Sequence, residues 1–197
     1  MDFSLRSILN LTLFSVQSPR AAARTLIAMQ LPDGARWMLF VLSVIGSALA
    51  SHIGFRFLPP DAQVLWADAM SRPILGAVMQ TAFWLLAAIA LQGLGRWGDR
   101  QGSFADTLLL LSWWQVLFFC LQTAQILALL ILPPVGEWMG LVGLILLLWL
   151  LTQFMLELHG FHHFWRVFPG VIAALLLAGL VLIVMLGVLV IIVNGGT

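Results

Sequence analysis

The chain of 197 residues is 62% apolar and only 9% charged, and a mean hydropathy of +1.06 leaves too little polar surface to coat a water-soluble globule. Nine arginines against eight acids, a net charge of +1, give no basic face for nucleic acid, which is excluded as a partner. Five stretches of at least 19 residues carry no charge, each about the length a helix needs to cross a hydrocarbon core of roughly 30 Å, so the fold is read as all-α: a polytopic membrane helical bundle with five spans.

Residues 1–34 form an amphipathic interfacial arm on the cytoplasmic side, and residues 35–197 form the five-span unit. Within the arm, residues 3–30 predict two short helices lying along the membrane surface. In the first, Leu5, Ile8, Leu9, Leu11 and Leu13 recur at near-helical spacing, with Arg6, Ser7 and Asn10 on the other side. In the second, Ser18 is placed to cap, Pro19 opens the first turn, and Arg20 and Arg24 stack one turn apart. Residues 8–16 followed by alanines 21–23 have the outline of a secretory leader, but Asp2, Asn10, Thr12 and Pro19-Arg20 break the pattern, and the segment is expected to stay in the mature chain. Arg6, Arg20, Arg24 and Arg36 are the candidates for contact with anionic headgroups. Packing of the arm across the end of the bundle is the other reading.

The spans are expected at about residues 36–57, 73–95, 107–132, 137–158 and 168–193. Lipid tails give helices no hydrophobic reason to associate, so small residues and hydrogen bonds mark their contacts. Span one carries Ser43, Ser47 and Ser51 four apart, beside Gly46, Ala50 and Gly54 at the same spacing, and two such ridges predict a central helix. Span five offers Gly170, Ala174 and Ala178, and span four starts with Gly136 and Gly140. Packing within the chain is the favoured use of these faces, and self-association the alternative.

Amides are the main polar groups inside the spans: Gln80 in span two, Gln115, Gln122 and Gln125 in span three, and Gln153 in span four. Each needs a partner in hydrocarbon, which predicts inward-facing amides bonded between helices, worth about 1 kcal/mol each. A small-solute transporter or channel lined by these glutamines and His52 is the alternative. Cys120, the single cysteine, sits in an apolar run and serves as a small hydrophobe.

Arginine sets the orientation. Arg6, Arg20, Arg24, Arg36, Arg96, Arg100 and Arg166 fall on one side of the drawn spans and only Arg56 and Arg72 on the other, which places the N-terminus in the cytoplasm and the C-terminus in the periplasm. All nine cations are arginine, a bias that suits a GC-rich bacterial genome and hence a bacterial inner membrane. Trp37, Trp97 and Trp165 fall at cytoplasmic edges, and Trp66 and Trp138 at the opposite edge. Trp84, Trp113, Trp114 and Trp149 lie deeper and are expected to pack between helices, each with a buried partner for its N–H.

The run Glu157-Leu158-His159-Gly160-Phe161-His162-His163 is the densest set of ligand-type residues. On a continuous helix His159 and His163 share a face at metal-ligand spacing, but Gly160 argues against continuity. A metal-dependent membrane enzyme built on Glu157, His159, His162 and His163 is therefore kept only as an alternative. Gly93-x-Gly95-x-x-Gly98 matches a dinucleotide-binding fingerprint in letters alone, because it follows a membrane helix rather than a strand, and is taken as a chance match. No nucleophile elbow or zinc-protease helix occurs. No catalytic residue and no cofactor is predicted.

The Ser18-Pro19-Arg20 break after a basic N-terminal arm, the approach Gln101-Gly102-Ser103-Phe104-Ala105-Asp106 to span three, the turn Leu158-His159-Gly160-Phe161 before span five and the five spans themselves resemble the Yip-one family, small five-span proteins named for interaction with Ypt/Rab GTPases. The resemblance covers most of the chain from about residue 10 onward. It implies a five-span membrane architecture. Many packing signals and few reactive groups point to a non-enzymatic role through lateral contacts, in membrane organisation or a trafficking-like process, with membrane lipids and other membrane proteins, or a second copy, as partners.

Overall fold

The computed structural model describes residues 5–57, 60–61, 63–64, 72–99 and 101–195, with side chains between residues 7 and 188, and every regular element among them is helical. Two short helices, α1 (Leu5–Gln17) and α2 (Pro19–Ala28), precede α3 (Asp33–Phe55), α4 (Pro73–Gly93), α5 (Phe104–Ile131), α6 (Pro133–His159) and α7 (Phe164–Gly195). The last five are long and apolar enough to cross a membrane, and the chain is a multi-pass membrane protein.

Local chemistry sets the helix limits. Pro19, Pro73 and Pro133 stand in first turns, where the missing N–H has no intrahelical partner to lose. Ser103 caps α5: its Oγ accepts the Asp106 amide at 3.0 Å and donates to Asp106 Oδ2 at 2.7 Å. Ser18 holds the cap position of α2 without a side-chain capping bond. At the end of α6, Gly160 takes φ 71°, a left-handed conformation that glycine adopts freely, and the Phe161 amide reaches back to the Leu156 carbonyl at 2.9 Å. His159 and His163 therefore do not share a helix face. α7 starts earlier than the expected 168 and runs through Pro169, whose ring leaves the Trp165 carbonyl without its helical donor.

The broadest helix contact joins α3 and α5, which lie side by side and run in the same direction. Gly46 faces Phe119, Ser51 Oγ accepts from Gln122 Nε2 at 3.1 Å, and Gly54 faces Ile126, pairs that climb both helices in step. α5 and α6 form an antiparallel hairpin in which Gly136, Gly140 and Gly143 admit Leu129, Gln125 and Leu121. α4 and α7 are antiparallel too, with Gly179 opposite Phe83 and Gly170 opposite Leu94.

The centre of the bundle is not the first span. Met38, Val41, Leu42, Ile45, Leu49 and Ile53 form an exposed flank of α3, so that helix packs by one side only. The buried centre is the first half of α5, where residues 107–115 are shielded on every side, together with the second half of α6. Two small ridges predict a close neighbour for α3, and they say nothing about the opposite face, which is apolar for lipid rather than for protein.

The deep tryptophans knit this centre. Trp113 Nε1 donates to Ser15 Oγ at 2.9 Å, and Trp114 Nε1 donates to the Leu147 carbonyl at 2.7 Å. Trp114 also packs on Trp84 with ring centroids 5.0 Å apart and stacks on Phe118, while Trp149 packs against the rim of the core. Trp37, Trp97, Trp138 and Trp165 are exposed near helix ends. Trp66 lies outside the described residues.

The arm is packed onto the bundle through α2, which buries Pro19, Ala22, Ala23 and Leu26 against α5 and α6. α1 packs Ile8, Leu11 and Ser15 on the bundle, with Ser15 wholly buried against Trp113, and leaves Leu9, Leu13 and Val16 exposed as an apolar stripe on its other flank, with Asn10, Phe14 and Gln17 exposed beside them. Thr12 comes beside Cys120, seven residues beyond Trp113 on α5.

Candidate functional site at the arm end of the bundle

Charged and polar side chains gather where the arm meets the bundle. Arg24 donates through Nε and Nη2 to both carboxylate oxygens of Glu157, each at 3.1 Å, and Arg20 Nε donates to Gln153 Oε1 at 2.8 Å. Arg20 and Arg24 are one turn apart on α2, as Gln153 and Glu157 are on α6, so the two helices mesh turn for turn as a strap. Hydrogen bonding to Glu157 first, and its charge second, raise the Arg24 pKa above its ordinary value. Arg36 is held within the chain as well. Its Nε donates to the Leu31 carbonyl at 2.8 Å, and its Nη1 lies 3.1 Å from Asp106 Oδ1, with the two side chains only 11% and 20% accessible. Of the four arginines read as headgroup contacts, Arg20, Arg24 and Arg36 thus have partners inside the protein, and the side chain of Arg6 lies outside the described residues, as does Arg100.

Beside the strap, His159 is completely buried. Its Nδ1 accepts from the Gly102 amide at 3.4 Å and its Nε2 sits 3.2 Å from the Leu91 carbonyl, which assigns the neutral tautomer with the proton on Nε2. The space for it is made by glycines. A Cβ on Gly95 falls 2.5 Å from His159 Nδ1, one on Gly98 collides with the His159 carbonyl oxygen, and one on Gly102 collides with Leu158 Cδ1. Gln92 completes the node: Nε2 donates to the Gly102 carbonyl at 2.6 Å and Oε1 accepts from the Thr107 hydroxyl. Gly95 and Gly98 of the dinucleotide-like string, together with Gly102, let this segment close over a buried histidine, while Gly93 of the string meets nothing within 4 Å. The signal in the sequence was the density of glycines directly after a span, which the fingerprint comparison passed over.

The four candidate metal ligands are not brought together. Glu157 faces Arg24, His159 is turned inward, His162 Nε2 lies 3.2 Å from Asp99 Oδ2 at the exposed loop, and His163 is exposed. Among the described residues, no three His, Cys, Asp or Glu side chains are grouped to hold a metal ion.

The five amides also go separate ways. Gln153 accepts from Arg20, Gln122 donates to Ser51, and Gln125 Nε2 donates to the Gly136 carbonyl at 3.2 Å. Gln80 lines a lateral groove between α3 and α4. Gln115 is fully buried, on the same α3-facing stripe as Phe119 and Gln122, and among the described residues neither end of its amide has a hydrogen-bond partner. Ser47 Oγ and Gln122 Oε1 are likewise buried without partners among the described residues. On the remaining packing positions, Ser43, Ala50, Ala174 and Ala178 are buried, and a Cβ on Gly170 meets Leu94 Cδ2 at 3.0 Å.

An orphaned buried amide is worth less than an apolar side chain of its own shape. Gln115→Met is therefore expected to stabilise the protein by about 1 kcal/mol, measured by unfolding in mixed detergent micelles. A loss of similar size means that the amide is engaged by something in the membrane and revives the polar-pathway reading.

Five apolar helices packed by glycine and serine, with a two-helix arm buckled to one end by arginines, define a helical polytopic membrane protein. A family model described as the Yip1 domain matches residues 14–186, and the chain belongs to that family. No curated protein and no solved structure matches it.

Proposed function

We propose that this protein acts without catalysis, through lateral contacts with lipids and other membrane proteins, in the inner membrane of a bacterial cell. In this reading residues 1–34 are an interfacial arm on the cytoplasmic leaflet, residues 35–197 are the five-span unit, and the C-terminus lies in the periplasm. One observation carries it: α1 packs Ile8, Leu11 and Ser15 on the bundle and leaves Leu9, Leu13 and Val16 as an exposed apolar stripe, ready for lipid or a partner helix. The uneven arginine distribution supports the orientation. Family membership and the apolar spans support the class of protein.

A photoreactive side chain at Leu13, incorporated in native membranes, is expected to label phospholipid or another membrane protein, whereas the same group at Ser15 labels only this chain. If Leu13 also yields intrachain products alone, the outward face has no partner and the proposal is lost. Tags on both ends, probed with an impermeant reagent in intact cells, test the orientation: only the C-terminal tag should react.

A further inference from the structure

At the end of the bundle away from the arm, α3 and α4 leave between them a groove of about 330 Å³. Its walls are mostly apolar: Ile74 stands near the mouth with His52, and Leu49, Ile45 and Gln80 line it further in. Arg56 follows His52 by one turn at the end of α3, and Arg72 directly precedes Pro73, which lines the groove at the start of α4. Both arginines are exposed, and among the described residues none of Arg56, Arg72, His52 or Gln80 has a side-chain hydrogen bond or ion pair.

Donors and cations left without partners at the rim of a hydrocarbon cleft call for an amphipathic anion. Among the described residues, Asp61 of the connection between the two helices makes no ion pair with either arginine, and donors inside the groove have no bulk water to turn to. A phospholipid has the required order of parts: phosphate outermost, ester carbonyls below it, then an acyl chain. We propose that the α3–α4 groove holds one acidic phospholipid, its phosphate between Arg56 and Arg72, its ester carbonyls facing His52 beside Ile74, and one chain running along Leu49 and Ile45 past Gln80. The proposal rests on the lipid-contact reading above and names a site for it on the far side of the membrane from the arm.

Gly76 gives a clean way to fill the groove. It lines the cleft, and a Cβ built on it meets nothing within 4 Å, so leucine fits there without disturbing the fold. The full chain is purified in detergent with mixed phosphatidylglycerol and phosphatidylcholine, and retained lipid is counted by native mass spectrometry. Phosphatidylglycerol should be retained preferentially, and R56Q/R72Q and Gly76→Leu should each lower its retention about tenfold, while R20Q/R24Q at the arm leaves it unchanged. Inorganic phosphate in millimolar excess should not displace it. Preference for phosphatidylglycerol that neither variant reduces overturns the site and leaves the lipid-contact reading standing, whereas no retained lipid of either kind overturns both. Displacement by free phosphate, or a change of oligomeric state in Gly76→Leu at constant lipid count, also overturns the assignment, in favour of a simple anion or a second copy.

Discussion

Gly98→Ala is expected to destabilise the bundle by about 3 kcal/mol, more than any other single methyl group added to this chain. Gly98 has φ −93°, which any residue can adopt, so the expected loss comes from contact and not from backbone strain. The added carbon runs into the carbonyl oxygen of His159, with His159 Cβ 3.2 Å and its carbonyl carbon 3.3 Å away. Backbone at the end of α6 cannot step aside without opening the turn at Gly160. Gly95→Ala differs in kind, because its new carbon meets the imidazole ring, Nδ1 at 2.5 Å and Cε1 at 2.8 Å. Shortening the ring in His159→Ala should therefore rescue Gly95→Ala in part and leave Gly98→Ala unrescued. Unfolding in detergent, followed by tryptophan fluorescence, gives the stabilities of the three single and two double variants. A Gly98→Ala variant within about 0.5 kcal/mol of the parent contradicts the close approach of the loop to α6.

Asp106→Ala is the second large expected effect, about 2 kcal/mol. Three contributions fall together: the carboxylate accepts the Ser103 hydroxyl, sits in the positive first turn of α5, and pairs with an Arg36 that is largely shielded from water. Removing it leaves that guanidinium with the Leu31 carbonyl alone. Asp106→Asn keeps an acceptor for Ser103 and should lose about half as much. The comparison is Arg24→Ala, whose side chain is 71% accessible and whose loss should be small, because solvent screens an exposed pair. A double-mutant cycle between Arg36 and Asp106 should return a coupling of about 1 kcal/mol. If Asp106→Ala costs no more than Arg24→Ala, the pair is not shielded as the structure has it.

The readable part of this fold was the part fixed by solvent. Charge and tryptophan mark where each helix meets water, so five spans and their approximate limits could be drawn from Arg36, Arg72, Asp106, Glu137 and Arg166 without knowing a single contact. A helix end was legible at Gly160, whereas the cap at Ser103 was not read and Ser18, read as one, makes no capping bond. Contacts were readable as faces and not as pairs. Ser47 and Ser51 announce a packed side of α3, but only the fold shows that the side meets α5 in parallel register rather than the next helix in sequence. The amides illustrate the same limit: sequence says that Gln115 and Gln153 need partners, yet one finds an arginine of the arm and the other finds none among the described residues. The burial of His159 was not legible, because only the glycines that wrap it, 57 residues away in sequence for the Gly102 bond, turn that helix end into an interior.

The strap between α2 and α6 has a further consequence for how the molecule is made. Both of its pairs join residues 133 positions apart, so α2 leaves the ribosome well before its berth on α6 does. Throughout translation of the first three spans, Arg20 and Arg24 have neither Gln153 nor Glu157 to hold, and the two short helices have only α5 to pack on, through Ser15 and Trp113. Fastening the strap is thus a step of biogenesis that waits for the fourth crossing, and a chain stopped short of it keeps α2 unbuckled.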